Sequence, residues 1–150
     1  MSDPLRLADQ ICFALYGATL AMNKAYKPLL AELGLTYPQY LAMLALWEAD
    51  GVTVKALGER LHLDSGTLTP LLKRLEAAGL VERRRDAEDE RQVRILLTES
   101  GRGLHDRAQI IPERILCASG LGLGELRRLK GELDALRRSL AGDAPLGEGA

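Results

Sequence analysis

Two cysteines, Cys12 and Cys117, are the side chains with most chemistry to offer in this chain of 150 residues. A thiol can ligate a metal, pair as a disulfide, or act as a thiolate nucleophile. Their separation of 105 residues excludes a local Cys-x-x-Cys motif, and two cysteines make no disulfide framework. They read as reduced cytosolic thiols or as a redox pair. A zinc site drawn from Cys12, Cys117, His62 and His105 lacks any ligand spacing. No metal and no cofactor is expected. No Lys, Arg or His lies within four residues of Cys12, so no sequence-local cation could activate it. Taken alone, such a cysteine is most simply a small core residue. A thiol peroxidase would also need a local base or a second nearby thiol, and neither is present, so an enzyme is not expected.

A second group of residues is basic and hydroxylic. A helix expected from Ser65 to Ala78 packs inward through Leu68, Leu71, Leu72 and Leu75. At about 100° per residue its other face centres on Gly66, Thr69, Pro70 and Lys73, flanked by Thr67 and Arg74, and Ser65 at the helix start is expected to contact DNA with them. Hydroxyls near a helix N-terminus followed by cations suit a helix lying in a DNA major groove. Pro70 costs an ordinary helix a hydrogen bond, which hints at a requirement of shape. From Ser65 to Arg85 five basic residues (Lys73, Arg74, Arg83, Arg84, Arg85) face two acids, Glu76 and Glu82. That segment is +3 within a chain whose net charge is −1. The acids Asp86, Glu88, Asp89 and Glu90 would repel phosphate unless some of them orient Arg91 towards a minor groove. The bland alternative is a solvated basic face on a protein-binding module.

The elements that must position these residues follow from caps and periodicity. A first helix is expected from Asp3-Pro4 to about Glu32, stopping at Gly34. Its apolar residues cover two faces, Leu7, Ile11, Leu15, Ala18 and Met22 together with Phe13, Tyr16 and Leu20, which points to a homodimer interface. On this reading Cys12 lies beyond the helix's first turn, too far along for the helix dipole to activate it. Further helices are expected from Thr36 to Asp50 and from Thr53 to Leu61, with β-type runs at Val81–Arg85 and Gln92–Thr98. A helix from Thr98 to about Cys117 and another from Gly124 to Leu140 complete the chain. The expected fold is mainly α, six helices with a two-stranded β-wing, a winged helix-turn-helix in an intertwined homodimer. Residues 3–34 and 99–141 would dimerise, residues 36–98 would bind DNA, and 142–150 would form a disordered tail. The run Gly120–Gly124 joins two helices and is no nucleotide fingerprint. His62 reads as a solvated or phosphate-side residue, and His105 as surface.

Composition fits this class. An apolar fraction of 47% with 27% charged residues excludes global disorder, and 4% aromatics favours helix on helix. The uncharged stretch Ile11–Met22 lacks the positive leader of a signal peptide and is short of the roughly 18 residues that span a bilayer. A cytoplasmic protein without membrane contact is expected.

Several motifs are similar to those of a known family. Val81-x-Arg83, Asp89-Glu90-Arg91 and Val93-x-Ile95-x-Leu97-Thr98-x-x-Gly101 resemble the wing signature of the MarR family of dimeric repressors. Three segments resemble its organic-hydroperoxide-sensing branch, the OhrR repressors: Cys12-Phe13-Ala14-Leu15-Tyr16, Leu35–Tyr40, and Leu63–Leu72. The resemblance covers about residues 5 to 119. It implies a repressor that binds double-stranded operator DNA and is released when an organic hydroperoxide oxidises Cys12. It further implies that Tyr26 and Tyr37 hydrogen-bond the thiolate. Cys117 would act as the resolving cysteine of the two-cysteine branch, forming a disulfide with Cys12 of the other subunit. Tyr26 is 14 residues beyond Cys12, or about 21 Å along one helix, so a contact between them requires the partner's Tyr26. A MarR-type repressor released by a small phenolic ligand, without thiol chemistry, is the alternative.

Overall fold

The described residues open on a turn, not on a helix. Asp3 accepts a hydrogen bond from the Leu5 amide at 2.9 Å, a single 3-10 turn spans Leu7–Asp9, and Gln10 is extended at φ −85°, ψ 126°. The first helix, α1, is Ile11–Ala31. The start expected at Asp3-Pro4 is therefore wrong by seven residues. The Gln10 side-chain amide donates backwards to the carbonyls of Pro4 (2.7 Å) and Arg6 (2.9 Å), which ties the preceding segment into a loop of its own. The computed structural model describes residues 3–142. The expected tail thus lies almost wholly outside the described residues.

The chain divides into two units, Met1–Ile111 and Pro112–Ala150. In the first, α1 leads to α2, Tyr37–Glu48, which opens on a complete Thr36/Gln39 capping box. Tyr40, Ala42, Met43, Ala45 and Leu46 of α2 are buried. Strand β1 (Val52–Thr53) follows, then α3 (Val54–Leu61) capped by Thr53, and α4 (Ser65–Ala77) capped by Asp64. The turn between α3 and α4 uses His62 in the left-handed region, φ 58°. A Cβ on Gly58 would stand 2.7 Å from the Leu63 carbonyl oxygen, so glycine is what lets this turn fold back onto α3.

Strands β2 (Val81–Arg85) and β3 (Val93–Leu97) pair antiparallel with Arg83 opposite Ile95. The wing was expected to have two strands, but the sheet has three, in the order β1-β3-β2. Two residues are too short a run to show alternation. Their place is secured from outside, by the Gly51 amide donating to Ile95 O at 2.7 Å and the Leu97 amide donating to Asp50 at 2.8 Å. The core beneath is Leu57, Leu68, Leu72, Leu75 and Ile95, each under 2% exposed.

The single helix expected from Thr98 to Cys117 is two, α5 (Glu99–Ala108) and α6 (Ile110–Ser119). Pro112 explains the break, because it offers no N–H to the Ala108 carbonyl and its ring crowds that group. In the second unit Gly120 (φ +70°) ends α6, and α7 runs Leu123–Ala141 as expected. No residue of α7 is buried among those described, and Leu123, Leu129 and Leu133 are exposed.

Candidate functional site

The face expected to meet DNA is built by α4. Asp64 accepts the Thr67 amide at 2.8 Å, and that backbone bond holds its carboxyl below the usual range, as an ionised cap. With Leu68, Leu71, Leu72 and Leu75 inward, Ser65, Gly66, Thr67, Pro70, Lys73 and Arg74 are exposed and Thr69 is half-buried. The helical wheel drawn from the sequence agrees with this exposure except at Thr69, which was placed at the centre of the outer face and is half-buried. Ser65 and Thr69 line a cleft of about 360 Å³ together with Arg83 of β2 and Arg91 of the wing loop. Groups from separate points of the sequence meet there.

Charge on this face is sorted by pairing. Arg83 bonds Glu76 through both its backbone amide (3.0 Å) and Nε (3.2 Å), and the amide bond first holds the Glu76 carboxyl down. Arg84 makes a two-pronged pair with Glu82 at 2.9 and 3.1 Å. Lys73, Arg74 and Arg85 are left without an ion-pair partner among the described residues. The positive excess of this segment is these three. Arg85 donates to the Glu90 carbonyl at 2.9 Å, which braces the wing loop.

The wing acids are also engaged. Asp89 accepts from the amide and Nε of Arg91 at 3.1 and 3.3 Å, the pairing expected for an arginine presented outward. Asp86 is held below the usual carboxylate range, first by the Glu88 amide and then by Arg94, whose Nε lies 2.8 Å away. Arg94 also donates to the Gly51 carbonyl at 2.7 Å, tying the wing to the approach to β1. Sequence reasoning missed Arg94, as it missed Thr53, Lys55 and Gln92, which line the cleft itself. The polar position of Lys55 between Val54 and Leu57 was the available signal.

Cys12 is exposed and is the second residue of α1. It therefore stands within the first turn, where unsatisfied N–H groups and the helix dipole favour negative charge. The expectation that Cys12 lies beyond the dipole's reach is corrected, and the extended Gln10 is the reason. Gln10 supplies no side-chain cap to those N–H groups. Cys117 is exposed on α6 in the second unit. Tyr26 and Tyr37 meet, with ring centroids 4.9 Å apart, and Tyr40 joins them at 5.6 Å from Tyr26. Tyr40 was not anticipated, although its spacing of three from Tyr37 on one helix signals a shared face. Burial, with Tyr40 and Tyr37 alongside, pushes the Tyr26 hydroxyl up to about 12. Burial raises Tyr37 as well. These hydroxyls remain protonated donors at neutral pH. Since α1 is unbroken between Cys12 and Tyr26, the tyrosine pair lies about 21 Å along the helix from its own thiol.

Comparison with known proteins bears on this assembly. The pattern of the SarA/Rot transcriptional regulators matches residues 24–108. Over 138 residues, 92% of the chain, it is 53% identical to the HTH-type transcriptional regulator TtmR of Methylorubrum extorquens, spanning 71% of that protein. Over an equal length it is 51% identical to the organic hydroperoxide resistance transcriptional regulator of Bacillus subtilis, spanning 94% of it. The chain belongs to the MarR/SarA family of winged-helix transcriptional regulators. Among solved members of the family, reduced AbfR bound to DNA superposes with a TM-score of 0.75 at 38% identity, over 91% of this chain and 94% of that one. AbfR has also been solved in a disulfide form, with a TM-score of 0.61. These family members are regulators, not enzymes, and this chain is a transcriptional regulator of the same type. Among the described residues no helix is long and apolar enough to cross a membrane.

Proposed function

We propose that this regulator is a redox-sensing repressor whose reduced homodimer binds a palindromic operator and is released by organic hydroperoxides. The observation that carries the reading is the exposed Cys12 thiol in the uncapped first turn of α1. It stands in a chain half identical to the Bacillus hydroperoxide regulator. Operator contacts fall on Ser65, Gly66, Thr67, Thr69, Pro70, Lys73 and Arg74 in the major groove. Arg83 and Arg85 lie beside the backbone, and Arg91, oriented by Asp89, reaches the minor groove.

The Cys12 sulfur attacks the distal peroxide oxygen, the O–O bond breaks, and the alcohol leaves as Cys12 becomes a sulfenic acid. The thiol of Cys117 from the other subunit then displaces water, giving an intersubunit disulfide. Tyr26 and Tyr37 come to the thiol together. Their neighbouring rings lie about 21 Å along α1 from their own Cys12, so both are assigned to the subunit opposite the thiol they serve. The exposed Phe13, Tyr16 and Met22 supply an apolar surround for the alkyl group of the peroxide. Closing the disulfide changes the separation of the two recognition helices, which must match one turn of DNA. Thiol reductants reset it.

Operator binding by wild type and Cys12→Ser, before and after cumene hydroperoxide, tests the sensing role. Release of wild type alone is expected. Release of the Cys12→Ser protein would turn the reading towards a ligand-released repressor. Non-reducing electrophoresis tests Cys117, and a crosslinked dimer that persists in Cys117→Ser would end its resolving role.

A further inference from the structure

The cleft between α3, α4 and the wing is lined by three cations, and two of them are already engaged. Arg83 is bound to Glu76 and Arg91 to Asp89. The third is Lys55, at the second position of α3, exposed and lining the same cleft. Lys55 makes no ion pair among the described residues, not even with Glu59 one helical turn further on. It carries the uncompensated charge of this cleft. Ser65 and Thr69 bring hydroxyls to the same space.

We infer that Lys55 binds a backbone phosphate of the DNA, seated at the mouth of this cleft between α3 and the wing. The inference rests on the DNA-binding reading above and extends its interface to α3. An open cleft offering one free ammonium, with hydroxyl donors beside it, is complementary to a phosphodiester oxygen. A lone ammonium does not present the paired groups that read a base edge. Lys55 therefore adds affinity without sequence preference. It also places the strand against α3 while α4 lies in the groove.

The test uses the reduced full-length protein and a duplex selected by the wild type from a random library, with a scrambled duplex beside it. Binding is titrated over a range of sodium chloride. Lys55→Gln is expected to weaken both duplexes by the same factor. Every phosphate left without its cation should make the plot of log K against log salt shallower by about 0.9, twice over in a dimer. Lys55→Arg should restore the wild-type slope. A slope unchanged in Lys55→Gln, with wild type binding normally, overturns the role of Lys55 alone. So does a weakening confined to the selected duplex. A wild type that binds no duplex at all overturns the DNA reading and Lys55 with it. Matching thermal unfolding curves exclude misfolding, since the Lys55 side chain is exposed.

Discussion

Tyr26 is the residue where packing and chemistry meet. In the role proposed for it, a hydroxyl that donates to a thiolate must keep its proton, and burial, with Tyr40 and Tyr37 alongside, makes Tyr26 keep its proton to about pH 12. The sign of the linkage follows. The folded value lies above the ordinary 10, so this contribution to stability is complete below about pH 10 and is lost as pH rises through 12. An alkaline titration followed by tyrosinate absorbance should show a late component that Tyr26→Phe removes. If all four tyrosines titrated together near 10, the packing described for this cluster would be wrong. Cys12 teaches a different lesson at the same scale. Its distance from the Asp3 cap was countable in the sequence, but its position in the helix was not. That position is decided by Gln10, whose side-chain amide bonds two carbonyls behind it and leaves the first turn of α1 uncapped.

At the scale of elements, α5 is seated by the tightest approach at any described glycine. A Cβ on Gly101 would lie 2.1 Å from the Leu80 carbonyl oxygen, a backbone atom that cannot swing aside. Gly101→Ala should therefore destabilise the protein by about 1–3 kcal/mol, the ordinary cost of overpacking. Gly103, two residues on in the same helix, has nothing within 4 Å of such a Cβ. Gly103→Ala should stabilise by up to about 1 kcal/mol through helix propensity. Paired thermal denaturation curves check both signs. Elements with a local signature were legible in the sequence: the Thr36/Gln39 capping box, the Asp64 cap with its four inward leucines, and the alternation of Val93, Ile95 and Leu97. Two features were missed, one with no local signature and one that Pro112 did signal. Strand β1 exists only because β3 lies beside it, and the α5–α6 break depends on Pro112 acting four residues back. The cleft was half legible for the same reason. Its α4 residues follow from helical period, whereas Lys55 joins it only because α3 packs beside α4 and the wing, and Arg94 braces the wing through tertiary hydrogen bonds.

At the scale of the molecule, the conspicuous fact is how little of α1 is covered. Of its 21 residues only Leu30 is buried, while Ile11, Phe13, Tyr16, Leu20 and Met22 are exposed. Large apolar side chains left exposed on two faces of one helix are surface that another chain buries, and the homodimer proposed above supplies it. Leu20→Glu should sediment as a monomer and lose operator binding with it, because one recognition helix holds only half a palindrome. A Leu20→Glu protein that stayed dimeric in sedimentation would remove α1 from the interface.

The route of α2 carries one more consequence. Its first turn holds Tyr37 and Tyr40 against Tyr26, and the residues just past its last turn, Asp50 and Gly51, grip Leu97, Ile95 and Arg94 of β3. Between those ends Met43 and Leu46 are buried and hold the helix in the core. The helix is 12 residues long, a rigid lever of about 18 Å. A tilt of about 10° at the tyrosine end would carry the wing end through about 3 Å, the length of a hydrogen bond. On the redox reading proposed above, a small tilt beside the tyrosine cluster is thereby carried to the distance over which a side chain gains or loses its hold on DNA.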